Sequence, residues 1–126
     1  ALILGTGGAA QAVTAALKKS GCSITFVSRS KKSNTLTYES LTSEIIRQHP
    51  LIINTTPLGM FPNNNNFPHI DYENLTQNHT LIDLIYNPEE TLFLKKGKAK
   101  GAQICNGMTM LISQAEASWK IWNNNF

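Results

Sequence analysis

The sequence predicts an α/β domain built on a doubly wound parallel sheet of about six strands, in the order 3-2-1-4-5-6. Three observations predict it. Short apolar or β-branched runs alternate with helix-like stretches along the chain. The first of these runs enters a helix through a glycine-rich turn. Leu51-Ile52-Ile53-Asn54 is apolar on both faces, as a central parallel strand covered from both sides must be. Right-handed crossovers set the winding, and ligand is expected at the carboxyl ends of the strands.

The elements follow in order. Residues 1–5 form the first strand and residues 8–20 the first helix, with Ala9, Val13, Ala16 and Leu17 on its inner face. Gly21 then caps that helix. Residues 23–28 are rich in β-formers and make the second strand. A polar turn over 30–34 leads to a short third strand at 35–38. Residues 41–48 read as a helix with Ile45 and Ile46 inward, and 51–54 as the fourth strand. The stretch 55–79 is irregular, punctuated by Pro57, Pro62 and Pro68, with the asparagines 63–66 at a loop tip. Residues 80–86 form the fifth strand. Pro88 is expected to start a helix with Glu89 and Glu90 in its first turn, where carboxylates suit the dipole. That helix runs to Lys100, and 102–105 is a short sixth strand. A last helix spans 107–123, with Met108, Leu111, Ile112, Ala115, Trp119 and Trp122 on one face.

A chain of 126 residues implies one domain over 1–126. Net charge is +3, carried by Lys18-Lys19, by Arg29, Lys31 and Lys32, and by the lysines at 95, 96, 98 and 100. No aromatic residues interleave with these cations, so a nucleic-acid partner is not expected. No apolar run approaches membrane-spanning length, so no membrane partner is expected either. Cys22 and Cys105 form no C-x-x-C and have no histidine at zinc spacing. They read as buried or half-buried thiols of a reducing cytoplasm, and no metal site is predicted. His49, His69 and His79 sit in or beside loops and read as surface residues. The chain starts without methionine and in mid-pattern, which leads us to expect a fragment with more sequence before Ala1.

The first turn carries the chemistry. Gly5-Thr6-Gly7-Gly8-Ala9-Ala10 has the spacing G-x-G-x-x-A. Gly5 permits the tight turn, Gly7 lets backbone approach a pyrophosphate, and Ala10 lets the helix pack close to the strand. The exposed N–H groups and positive dipole end of the helix face the anion. The alternative is an ordinary tight strand-to-helix turn; the flanking strand and helix favour dinucleotide binding.

The end of the second strand selects the nucleotide. An NAD site places a carboxylate there for the ribose 2′-hydroxyl. Here Ser28-Arg29-Ser30-Lys31 stands instead, with Ser28 23 residues after Gly5. Arg29 can stack on adenine or fork onto a 2′-phosphate, Ser28 and Ser30 can donate hydroxyls, and Lys31 adds charge. One charged hydrogen bond is worth roughly 1.5–3 kcal/mol, or about 10- to 100-fold in affinity, so NADP is expected over NAD by at least that factor. A solvated basic turn is the alternative.

Three further segments complete a pattern: residues 53–60 (Ile-Asn-Thr-Thr-Pro-Leu-Gly-Met), 83–94 (Asp-Leu-Ile-Tyr-Asn-Pro-Glu-Glu-Thr-Leu-Phe-Leu) and 106–115 (Asn-Gly-Met-Thr-Met-Leu-Ile-Ser-Gln-Ala). With the glycine turn, and in this order, they resemble the C-terminal, NADP-binding half of the shikimate dehydrogenase family. The resemblance spans nearly the whole chain and implies a Rossmann-like fold. It implies that Gly5, Thr6, Gly7, Gly8 and Ala9 hold the pyrophosphate. It implies that Ser28-Arg29-Ser30 stands where the family usually has Asn-Arg-Thr, the clamp on the 2′-phosphate. Thr56 would line the cofactor cleft and Leu84 would lie beside the nicotinamide. Gly107 would make a backbone contact to the nicotinamide ribose region, and Tyr86 and Gln114 would touch the hydroxylated substrate ring. The residues themselves agree in part: Tyr86 lies at the carboxyl end of a central strand, and Gly107, Leu111 and Gln114 share a helical face. A strand-end aromatic and a surface amide remain the alternatives for Tyr86 and Gln114.

The implied reaction is NADPH-dependent reduction of 3-dehydroshikimate to shikimate, in cytoplasmic aromatic amino-acid biosynthesis. The family's catalytic lysine–aspartate pair lies in an N-terminal substrate domain that this chain does not contain, so no catalytic residue is assigned. Asp71 and Asp83 are not substitutes for that pair. The alternatives are a quinate/shikimate enzyme using NAD and a non-catalytic nucleotide-binding module.

Overall fold

The computed structural model describes residues 1–107. Six strands form one sheet: β1 (Leu2–Leu4), β2 (Thr25–Ser28), β3 (Thr35–Thr37), β4 (Leu51–Asn54), β5 (Thr80–Asp83) and β6 (Gln103–Asn106). Their order is β3-β2-β1-β4-β5-β6, and every neighbouring pair is parallel. The doubly wound α/β expectation is borne out. The last helix expected at 107–123 lies, beyond Gly107, outside the described residues.

Strand side chains alternate between faces, which divides the core in two. Leu2, Leu4, Val27, Ile52 and Leu81 pack on one side with Ile46, Phe93 and Leu94 of the helices α2 (Ser43–Gln48) and α3 (Leu92–Ala99). Ile3 and Ile53 pack on the other side with Ala10 and Val13 of α1 (Gly8–Lys19). The inner stripe of α1 is Ala10, Val13 and Thr14, with Leu17 partly buried, which is the i, i+3, i+4, i+7 pattern. Ala9 and Ala16, expected inside, are exposed. Buried Thr14 satisfies its hydroxyl by donating to the Ala10 carbonyl at 2.7 Å.

Two helix starts move relative to expectation, each because a threonine caps the helix. Thr42 accepts from the Ile45 N–H at 3.2 Å, and α2 begins at Ser43. Thr91 caps α3, so Pro88, Glu89 and Glu90 precede that helix instead of opening it. β5 ends at Asp83, three residues before Tyr86. The histidine reading also needs correction. His79 is buried: its Nδ1 accepts from the Thr76 N–H at 3.1 Å, which leaves Nε2–H to donate to the Ile46 carbonyl at 2.8 Å. That bond ties the residue before β5 to α2. Half-buried His49 bridges the Ile45 carbonyl and the Thr25 hydroxyl. Both cysteines are free and half-buried. Among the described residues no helix is long and apolar enough to cross a membrane.

Candidate functional site

The carboxyl ends of β1 and β4 meet at Gly5. The Gly5 N–H donates to the Val27 carbonyl at 2.8 Å, and the Leu4 carbonyl accepts from both the backbone N–H and the hydroxyl of Thr55. Gly5 has φ +110°, and a Cβ there would lie 2.5 Å from Thr55 Oγ1, so only glycine permits this approach. Gly7 differs. It is the N-cap of α1, receives no side-chain cap, and faces open space: a Cβ would meet nothing within 4 Å. The first turn of α1 contains no acidic residue. Its N–H groups lack intrahelical partners and have neither a side-chain cap nor an acidic residue of their own turn beside them, which suits a bound phosphate.

A cleft of about 360 Å³ opens over this turn. Gly5, Thr6 and Gly7 line one end, and Ser28, Arg29, Ser30, Lys32 and Tyr38 the other; Thr55, Thr56, Pro57 and Leu58 also line it. Ser28 is buried and its Oγ accepts from the Ser30 N–H at 3.4 Å, which shapes the turn after β2. Burial pushes the Tyr38 phenol up, while the nearby Arg29 charge pulls it down. Among the described residues neither Arg29 nor Lys32 forms an ion pair.

A second cleft of about 470 Å³ adjoins the first through Thr55, Thr56 and Pro57. Ala9, Leu84, Ile85, Tyr86 and Asn87 complete it with the exposed Met60 and Phe61. The sequence-predicted residues therefore divide. Gly5, Thr6, Gly7, Ser28, Arg29 and Ser30 line the first cleft, Ala9, Leu84 and Tyr86 the second, and Thr56 both. Gly8 opens α1 but lines neither cleft, and Lys31 lines neither, its neighbour Lys32 standing in the first instead. Gly107 is buried outside both: its N–H donates to the Ile85 carbonyl at 3.3 Å, and a Cβ would land on the Leu84 carbonyl. Gln114 lies outside the described residues.

Beneath the two clefts runs a polar network that sequence reasoning missed. Asn54 and Asp83 end adjacent strands in register, and both are fully buried. Asn54 Nδ2 donates to Asp83 Oδ1 at 3.2 Å, and Asn54 Oδ1 accepts from the backbone N–H and hydroxyl of Thr56 at 3.0 and 2.6 Å. Asp83 Oδ1 also accepts from the Ile85 N–H at 3.1 Å, and Oδ2 from the Thr91 hydroxyl at 2.6 Å. Burial raises the Asp83 carboxyl above its ordinary range, and the Thr91, Ile85 and Asn54 hydrogen bonds oppose that shift. One buried carboxylate thus orients Thr56 on one side and the Ile85 loop on the other. Its signal in the sequence was a polar residue closing each of two apolar central strands. No cluster of metal-ligating side chains occurs among the described residues.

No family model matches the chain. The NADP⁺-type shikimate dehydrogenase of Methanococcus aeolicus is 38% identical over 135 residues, covering 96% of this chain and 48% of the relative. A crystal structure of a chorismate mutase/shikimate 5-dehydrogenase fusion from Clostridium acetobutylicum is 40% identical, with a TM-score of 0.76 over 98% of this chain and 46% of the other. A shikimate dehydrogenase solved in complex with NADP⁺ is 32% identical, with a TM-score of 0.72 over 98% of this chain and 48% of the other. The chain spans about half the length of the curated relatives it matches. Over that span it is a homologue of shikimate dehydrogenases.

Proposed function

We propose that this chain is the C-terminal, NADP-binding half of a shikimate dehydrogenase, a single domain over 1–126. The intact enzyme would be a cytoplasmic oxidoreductase that reduces 3-dehydroshikimate to shikimate with NADPH. The observation that carries the reading is one cleft with an uncapped, acid-free helix start at one end and, at the other, two cations, Arg29 and Lys32, that have no carboxylate partner among the described residues. A dinucleotide with an extra phosphate presents anionic groups at two separated points, and this cleft answers both. Residues Gly5 to Ala9 would hold the pyrophosphate, and Ser28, Arg29 and Ser30 the adenosine end.

When bound, NADPH supplies the hydride; this chain holds and aims it. Thr56 stands between the clefts, and Leu84 walls the second, where a nicotinamide would lie. Tyr86, with Gln114, would meet the hydroxylated ring. The open face beside Tyr86 would be closed by the other half of the enzyme, which would supply acid–base groups and grip the substrate carboxylate.

The test is a titration of the chain with NADPH and NADH, read by nicotinamide fluorescence. NADPH binding without turnover is expected. Arg29→Ala should weaken NADPH by about 10- to 100-fold while leaving NADH nearly unchanged. A preference for NADH would favour a quinate-type enzyme using NAD, and reduction of dehydroshikimate by this chain alone would refute the division of labour.

A further inference from the structure

We infer that Asn54, held one way round by Asp83, is a positioning residue that makes the Thr56 hydroxyl an acceptor only, and that Thr56 receives a ribose hydroxyl of the bound dinucleotide instead of a phosphate oxygen. The inference rests on the dinucleotide reading above and says which part of that ligand the β4 side of the cleft takes.

The Asn54 amide cannot be turned round. The Thr56 N–H can only donate, so the atom it meets at 3.0 Å is Oδ1. The Leu58 carbonyl and the Asp83 carboxylate, at 3.5 and 3.2 Å, accept from Nδ2. Asp83 is itself anchored by the hydroxyl of Thr91, the N-cap of α3, so the orientation is set from within the buried layer. The Thr56 hydroxyl lies 2.6 Å from Asn54 Oδ1 and must commit its proton there. Its oxygen also accepts from the Leu58 N–H at 3.3 Å. A hydroxyl has one proton and two lone pairs, so Thr56 keeps a single lone pair for a ligand. Thr55 is committed in the same way, its hydroxyl donating to the Leu4 carbonyl at 2.7 Å.

Both threonines line both clefts, which gives the site a polarity. The start of α1 offers N–H donors, whereas the β4 side offers hydroxyl oxygens with no proton to give. The pyrophosphate bridge of a dinucleotide carries only acceptors, so it is drawn to α1 and disfavoured at Thr56. A ribose hydroxyl can donate to Thr56, and a dinucleotide has a ribose on each side of that bridge.

The experiment measures NADP⁺ and NAD⁺ affinities of the full chain and its variants by titration calorimetry, with a melting curve for each. Thr56→Val removes the oxygen and keeps the shape. It should weaken NADP⁺ and NAD⁺ alike, by about three- to tenfold, and Thr56→Ser should return both to within about twofold. No loss in Thr56→Val, an equal loss in Thr56→Ser, or a loss confined to NADP⁺ would overturn the inference, the last because it would set Thr56 against the 2′-phosphate. Asn54→Ala should weaken both ligands in the unaltered chain and add less than about twofold in the Thr56→Val background, because it acts through that hydroxyl. Additive losses would reduce Asn54 to a structural role. Should Asn54→Ala melt too low to titrate, the contrast between Thr56→Val and Thr56→Ser decides. Each of these results leaves the nucleotide reading standing; if the unaltered chain binds neither NADP⁺ nor NAD⁺, both fall together.

Discussion

The cleft beside β2 and the layer beneath β4 and β5 both concentrate polar side chains at the carboxyl edge of the sheet, in opposite circumstances. In the cleft, Arg29 and Lys32 are exposed and have no carboxylate partner among the described residues, and the start of α1 has no side-chain cap. In the layer below, Asn54, Asp83 and Thr91 are completely buried and hydrogen-bonded to one another or to the adjoining loops. Among the described residues no buried side-chain polar atom lacks a partner. The contrast separates two tasks. Groups that would bind an outside anion on the proposed reading are left available to solvent, whereas groups that position the adjoining loops are satisfied internally and shielded.

The comparison can be broken most severely from below. Asp83→Ala would strip acceptors from the Asn54 amide, the Ile85 N–H and the Thr91 hydroxyl at once. A loss of about 3 kcal/mol is expected, lowering the melting temperature by roughly 10 °C. An unchanged melting temperature would mean that the network does not support the fold.

A smaller effect is expected from above, and on binding alone. Gly7→Ala places a methyl in open space at φ −81°, so stability should hold. The same methyl would stand where backbone must approach the pyrophosphate, and NADP⁺ affinity should fall at least about tenfold. Gly5→Ala, by contrast, should lower stability as well, because its Cβ would collide with Thr55. Equal melting-temperature losses for the two variants would erase the distinction between them.

The smallest effect concerns pH. The folded-state pKa of Asp83 lies above its ordinary value of 3.8, so the native state holds that proton more tightly than the unfolded chain. The carboxyl's contribution to stability must therefore fall as pH rises through the window between the two values, and recover as pH drops through it. Asp83→Asn removes the titration. Its melting temperature relative to the unaltered protein should improve as pH rises from acid toward neutral. A constant difference across that range would show that Asp83 titrates normally.

Much of this was legible in the residues because it is local. Alternating runs identified six strands and their order, since right-handed crossovers leave few ways to wind them. Gly5, Gly7 and Ala10 announced the turn through their spacing, and Ser28-Arg29-Ser30 announced a basic turn without a carboxylate after β2. Helix starts were misjudged where a capping threonine outranked a proline or an apolar residue: the run Thr91-Leu92-Phe93-Leu94 carries that signal, and Pro88 obscured it.

The amino-acid order by itself determined the parallel sheet and the glycine turn that opens α1, because hydrophobic periodicity and glycine spacing act over a few residues. Only the tertiary structure decided that His79 is a buried tie to α2, that Asp83 orients two loops, and that Lys32 enters the cleft while Lys31 does not. Each of those outcomes depends on groups far apart in sequence being brought within hydrogen-bonding distance. Nothing in one residue's immediate neighbours reports which distant carbonyl, hydroxyl or amide the folded chain will set beside it.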